Sequence, residues 1–468
     1  DWILAGATVH VSMIGFDDGT EEERRLDGKE VIDIAPQLSS ASDLSLAKLL
    51  RVNGRISFMG ITPAGPFDLP FDDIWPWLGA PNPNGRPNSD VLRPYLNGQD
   101  INRRTRWQWT IDFGAESQQE TAAQYELPFQ FLDKTARPIR AKNRREAYAR
   151  NWWIYAESRP AMREAFRGKN HFLATCMVAK HRIFTWLDSV CLPANVVIVF
   201  GRADDFFFGV LNSRFHLLWA DSQGTQLREK ESGSRYTPTT CFETFPFPFP
   251  DDLQPPPPAV IASSSSKPDT DRTYAENLAA KNYFMGKEES PPYGSSSRHE
   301  QAHLSDSALV LPHSEIDQHR AAIAAAAKEL NELRERWLNP QEWTVERVLE
   351  FPGSADGPWA RYVLAPDKNG IGTVRYPRLE PRDADCAAKL KKRTLTSLYN
   401  ERPVWLDLAH KKLDVAVAAA YGWSSDLSDE QILERLLALN LERAAEEAHT
   451  ASLKKPKSSR SKHADELI

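Results

Sequence analysis

The sequence predicts an α+β fold: a mixed α/β region over about 40–250, then a helical region over 311–446. Three observations carry this prediction. Apolar runs of strand length, such as ANVVIVFG (194–201), are interspersed with helix-length stretches around 121–135 and 160–167. Ile316, Ile323, Leu330 and Trp337 recur every seven residues, which puts one apolar stripe on a helix over about 314–337. The chain is 41% hydrophobic with 14 tryptophans, enough apolar material for a sizeable core.

Taken in order, ILAGATVHVSMIGF (3–16) alternates loosely and reads as one long strand or a strand pair. An acidic turn follows at 17–25, and 27–34 reads as the second arm of a hairpin. ANVVIVFG and DDFFFGVLNS (204–213) read as two buried strands joined by a turn at 202–204. RYTPTTCFETFPFPFP (235–250) alternates phenylalanine with proline. Proline cannot donate to a ladder, so this stretch ends pairing at an edge and starts an extended exit, with its phenylalanines as anchors. PPPP (255–258), SSSS (263–266) and SSS (295–297) mark 251–310 as a flexible, low-complexity linker. A hairpin is expected near 360–376. A helix over 403–421 stops at Gly422, and another starts at Ser428 with Gln431 completing a capping box. Trp405, Leu408, Leu413, Val417, Tyr421, Ile432, Leu436 and Leu439 are expected to pack against the 314–337 helix. The tail, 447–468, reads as basic and disordered.

Several classes are disfavoured. No apolar run of about 18 residues and no secretory leader is present. Cys176, Cys191, Cys241 and Cys386 make no C-x-x-C pair, so neither a zinc ribbon nor a disulfide framework is indicated, and a reduced, cytoplasmic setting is expected. The chain opens at Asp1 inside an alternating segment, which suggests a piece of a longer protein. HEQAH (299–303) has metalloprotease spacing, but no apolar face fixes a helix there, and no metal site is expected. SPPY (290–293) matches the tetrad of amino-methyltransferases, yet KNYFMGKEE before it is a poor strand and no glycine-rich AdoMet loop lies upstream. KNGIG and NPNG read as turns. The chain is read as carrying no catalytic residue.

Charge is unevenly spread around a net −6. Residues 1–85 hold 6 Lys/Arg against 13 Asp/Glu, whereas 86–182 hold 18 against 10. The basic part interleaves arginine with Trp107, Trp109, Trp152, Trp153 and Tyr155, the residue types that hold phosphates and stack on bases. Candidate nucleic-acid contacts are Arg93, Arg103, Arg104 and Arg106, then Lys142, Arg144 and Arg145, then Lys180, His181 and Arg182. Arg214 at an element junction joins them, as does the start of the ribbon: Arg235, Tyr236, Thr237, Thr239 and Thr240. Each arginine alone is as readily a surface ion pair. Asn97 and Gln99 have the groups to bond adenine, although Asn97-Gly98 reads better as a turn.

Eight phrases together carry a resemblance: GATVHVSMIGF (6–16), PNSDVLRPYLNGQDIN (87–102), RWQWTIDFG (106–114), WWIYAESRPAMREAF (152–166), VAKHRIFTWLD (178–188), FFFGVLNSRFHLLWA (206–220), RYTPTTCFETFPFP (235–248) and RTLTSLYNERPVWLDLAHKKLDVAVAAAYGW (393–423). In number and order they resemble the C-terminal, target-recognition half of large single-chain adenine-specific DNA methyltransferases, the MmeI-like, restriction- and phage-defence-associated AdoMet enzymes. The resemblance implies that 1–39 closes a Rossmann-like catalytic sheet, that 40–250 is the recognition domain and that 311–446 is its helical tail. It implies double-stranded DNA as partner. The glycine-rich loop and N-P-P-[YF] of the family are absent, so S-adenosyl-L-methionine and the methyl chemistry are assigned to a catalytic half, in the same longer chain or a separate subunit. Two further readings stand beside it: a non-enzymatic DNA-specificity subunit or decayed fragment, and an N4-cytosine enzyme using Ser290–Tyr293.

Overall fold

A computed structural model describes residues 43–226, 233–249 and 313–453, with short pieces at 2–4, 7–9, 15, 20, 23–26 and 28–31. Residues 250–312, which hold the expected linker, HEQAH and SPPY, lie outside the described residues. Near the start, Trp2–Leu4 pairs antiparallel with Ala7–Val9, and Arg24–Leu26 with Lys29–Val31 around Gly28 at positive φ.

Two four-stranded sheets make the mixed region, in agreement with the α+β expectation. In the first, Thr185–Asp188, His171–Cys176, Val197–Phe200 and Ser57–Met59 lie antiparallel in that order. All four residues of Val197–Phe200 are buried, as an unbroken apolar run implies. In the second, Asp68–Pro70, Gln108–Ile111 and Leu92–Leu96 are antiparallel, and Leu192–Pro193 adds in parallel. Trp109 is fully buried there and stacks on Trp359 at 5.2 Å. Helices Glu126–Arg140 and Pro160–Phe166 flank the sheets.

The second predicted strand is a helix. Asp205–Asn212 is α-helical, and Asp204 caps it by accepting from the Phe207 N–H at 2.9 Å. Phe206 to Asn212 are buried without exception, so no periodicity survives in the sequence to separate helix from strand. The helix is wedged tightly: a Cβ on Gly209 would lie 2.7 Å from Ile323 and 3.2 Å from Leu413. Arg214–Gln223 follows directly, so Arg214 stands at a helix–helix junction.

The C-terminal region contributes to the same body. Helix His313–Leu338 buries Ile323 and Leu330 and leaves Ile316 and Trp337 half-buried, as the seven-residue stripe requires. It also buries Arg334, which donates to the Phe184 carbonyl at 2.9 Å. Thr344–Ser354 pairs along its length with Ile371–Pro381, and Val363–Leu364 pairs with Ile371–Pro381 as well, so the expected hairpin is a three-stranded sheet. Helix Val404–Ala420 ends as predicted: Gly422 is left-handed, and the Trp423 and Gly422 N–H groups bond Ala418 and Ala419. The Ser428–Gln431 capping box is present in both directions. Two packing expectations change. Leu408 is 61% exposed, because the buried face runs through Leu406, Ala409, His410, Leu413 and Val417. Helix Asp429–Leu453 packs chiefly against Arg214–Gln223 and Leu44–Leu46, not against His313–Leu338.

The phenylalanine–proline ribbon is the seam of this body. Phe245, Phe247 and Phe249 are buried, and Phe247 stacks on Phe207 at 5.4 Å. Its carbonyls have no ladder and are satisfied by side chains instead. Asn53 bonds Phe242 and Phe245, Asn440 bonds Thr244, Tyr421 bonds Pro246 and Arg443 bonds Phe247.

Candidate nucleic-acid interface

The candidate cations separate by what they touch. Arg93 is largely buried beside Asp112 and donates to the carbonyls of Val190 and Ser189, both at 2.8 Å. Asp112 also takes two bonds from Arg163, at 2.8 and 2.9 Å. Burial penalises the Asp112 charge, but the two guanidiniums hold its carboxyl below the usual range. Arg182 is buried over the Tyr236 ring and donates to Cys176 and Ser234 carbonyls. Tyr236 is itself buried, and its hydroxyl meets His216 Nε2 at 2.9 Å. Arg104 ties down the C-terminal region, donating to Leu338 and Leu390 carbonyls and to Asn339. Arg214 donates to Asp429 and the Leu427 carbonyl, while its own N–H bonds Asp414.

The other candidates are exposed, except His181 and Thr237, which are half-buried. Arg103 projects from the end of helix Gly98–Asn102. Asn97 caps that helix through a reciprocal pair with Asp100, the turn role read in the sequence. Asp100, whose side chain is wholly buried, holds Arg106 at 3.0 Å and leaves that guanidinium half in solvent. Lys180, just after strand Val178–Ala179, and Arg235, on the strand paired with it, are exposed.

Arg103, Arg106 and Lys180 share one cleft of about 600 Å³. One wall is the turn and helix carrying Asn97, Gln99, Asn102 and Arg103. The other is Met177–Lys180, and Thr396 from the C-terminal region closes it. The cleft gathers guanidinium, ammonium and amide groups from segments about 80 residues apart in sequence. Such donors suit an anionic, hydrogen-bond-accepting ligand.

Thr237 and Thr239 lie elsewhere. They line a cavity of about 790 Å³ with Phe58, Tyr148, Asn151, Glu157 and Arg159. Thr240 is exposed beside Cys241 on the turn Pro238–Phe242. Lys142, Arg144 and Arg145 are exposed just before helix Glu146–Arg150, with Arg145 donating to the Tyr148 hydroxyl at 2.8 Å. Sequence reasoning missed Thr396, which reaches the cleft from 294 residues beyond Asn102, and Asn400, which bonds Lys180 from 220 residues further along. No local pattern signals a contact of that separation.

Comparison with known proteins identifies two likenesses. Residues 84–249 match the family model described as MmeI, target recognition domain, a span that holds Arg103, Arg106 and Lys180. The fold resembles that of the type IIL restriction-modification enzyme MmeI in complex with DNA, with a TM-score of 0.52 and 15% identity. That match covers 89% of this chain and 39% of the other, so the chain spans about two-fifths of the enzyme's length. No curated protein sequence matches the chain.

Proposed function

From the likeness of residues 84–249 to the MmeI target recognition domain, we propose that this chain is the DNA-recognising part of a restriction-modification or phage-defence methyltransferase. The observation that carries this is the basic cleft inside the matched span. A chain of net charge −6 needs its cations gathered locally to hold a polyanion, and the cleft gathers Arg103, Arg106 and Lys180. Arg235, His181, Lys142, Arg144 and Arg145 extend the basic surface in the proposal. Arg93, Arg182 and Tyr236 serve it indirectly by holding the scaffold, because each is buried and bonded within it.

The target base in this reading is adenine, methylated at N6, with S-adenosyl-L-methionine held by a catalytic half in a longer chain or a separate subunit. In this reading the described residues are not the cofactor's site. The strand-to-helix turn from Val197–Phe200 to Asp205–Asn212 carries one glycine, Gly201, and a Cβ there would meet Ala165 at 2.9 Å rather than open a cradle. No methyl-transfer step is therefore assigned to these residues. Methylome sequencing of cells with and without the gene tests the reading. Loss of N6-methyladenine at one defined motif is expected. An unchanged methylome from a chain that still binds duplex DNA supports the non-enzymatic specificity subunit instead.

A further inference from the structure

Asn400 lies well outside the matched span, on helix Leu395–Glu401, and is exposed. Its Oδ1 accepts from Lys180 Nζ at 2.9 Å and from His181 Nε2 at 2.8 Å. An amide oxygen has two lone pairs, so both bonds are made at once. This leaves the two Nδ2 protons of Asn400 and two protons of the Lys180 ammonium as donors beyond that contact. The helix that carries Asn400 is fixed to the recognition region. Thr396 Oγ1, in the cleft wall, donates to the Asn102 carbonyl at 3.1 Å. Arg104 bonds the Leu390 carbonyl at 3.1 Å just before the helix.

We propose that Asn400 is a positioning residue of the DNA interface. It holds Lys180 as a preset donor beside the cleft, with the His181 bond fixing the amide from a second side, and adds its own amide donors. The phosphate backbone is then gripped by a surface that the recognition region and the C-terminal region build jointly. This rests on the cleft being the DNA interface. The advantage is one of preorganisation: a free lysine loses side-chain freedom when it grips a phosphate, and one already tied in place loses less.

The test is binding of a random-sequence duplex to the full chain, titrated with salt, for the unmodified protein, Asn400→Ala and Asn400→Asp. Because Asn400 is exposed, both variants should keep the thermal midpoint of the parent. Asn400→Ala should weaken binding about three- to tenfold with a similar salt slope, since the Lys180 charge remains. Asn400→Asp should weaken it further and lower the slope by about 0.9, because a carboxylate neutralises Lys180 and removes one phosphate contact. A purely structural brace would shift the thermal midpoint and leave the slope alone. Parent-like binding by both variants, or weaker binding with a lowered midpoint and unchanged slope, overturns the proposal while the cleft reading stands. If the unmodified chain binds no duplex, both fall together.

Discussion

At the scale of the residue, the structure separates cations that the sequence leaves alike. Arg182 and Lys180 stand two positions apart, yet one is buried against carbonyls and a tyrosine ring and the other is exposed. Nothing in AKHR distinguishes them, because the difference is made by Ser234 and Tyr236 more than 50 residues away. Arg182→Ala should cost about 2–4 kcal/mol in urea unfolding, since it strands buried carbonyls. Lys180→Ala should leave stability within about 0.5 kcal/mol and lower the salt slope of DNA binding by about 0.9. Buried histidines set a pH dependence. Burial pushes His216 and His410 down to about 3. Both are therefore neutral when folded. As pH falls below the ordinary value near 6.5, the unfolded chain takes up protons that the folded chain refuses. Stability then drops by about 1.4 kcal/mol per pH unit for each histidine until pH nears 3. Asp414, raised to about 6 by burial, acts with the opposite sign between about 6 and 4. The three together predict a net loss equivalent to about one proton across that window. Urea midpoints measured from pH 7.5 to 4.5 check this, and a midpoint that rises on acidification contradicts it.

At the scale of the element, legibility followed exposure. Gly422 and the Ser428–Gln431 box were readable because helix ends at a surface use local chemistry. The 314–337 stripe was readable because only one face of that helix is buried. DDFFFGVLNS was misread because it is buried all round, and the one informative residue is Asp204, its cap. Asp204→Ala should cost about 1 kcal/mol. Gly209→Val should cost about 1–3 kcal/mol or more through overpacking against Ile323 and Leu413, despite the better helix propensity of a side chain. Calorimetric midpoints of both variants measure these losses. A neutral Gly209→Val would mean that helix Asp205–Asn212 is not in close contact with the helices carrying Ile323 and Leu413.

At the scale of the whole molecule, the sequence suggests a recognition region and a helical tail, whereas the structure joins residues on both sides of Pro255–Pro312 into one contact unit. The ribbon that looked like an exit is where they join, its carbonyls shared between Asn53 on one side and Tyr421, Asn440 and Arg443 on the other. A fragment ending at residue 249 should therefore expose the Phe206–Gly209 face and bind hydrophobic dyes. A well-dispersed NMR spectrum from that fragment would show that the recognition region folds alone. The central claim concerns the cleft, and one measurement addresses it most directly: the salt dependence of duplex DNA binding by the full chain and by its Arg103→Ala, Arg106→Ala, Lys180→Ala triple variant. The account predicts steep salt dependence for the parent and a slope lower by about 2–3 in the folded variant. Salt-independent binding by the parent, or an unchanged slope in the variant, would contradict it.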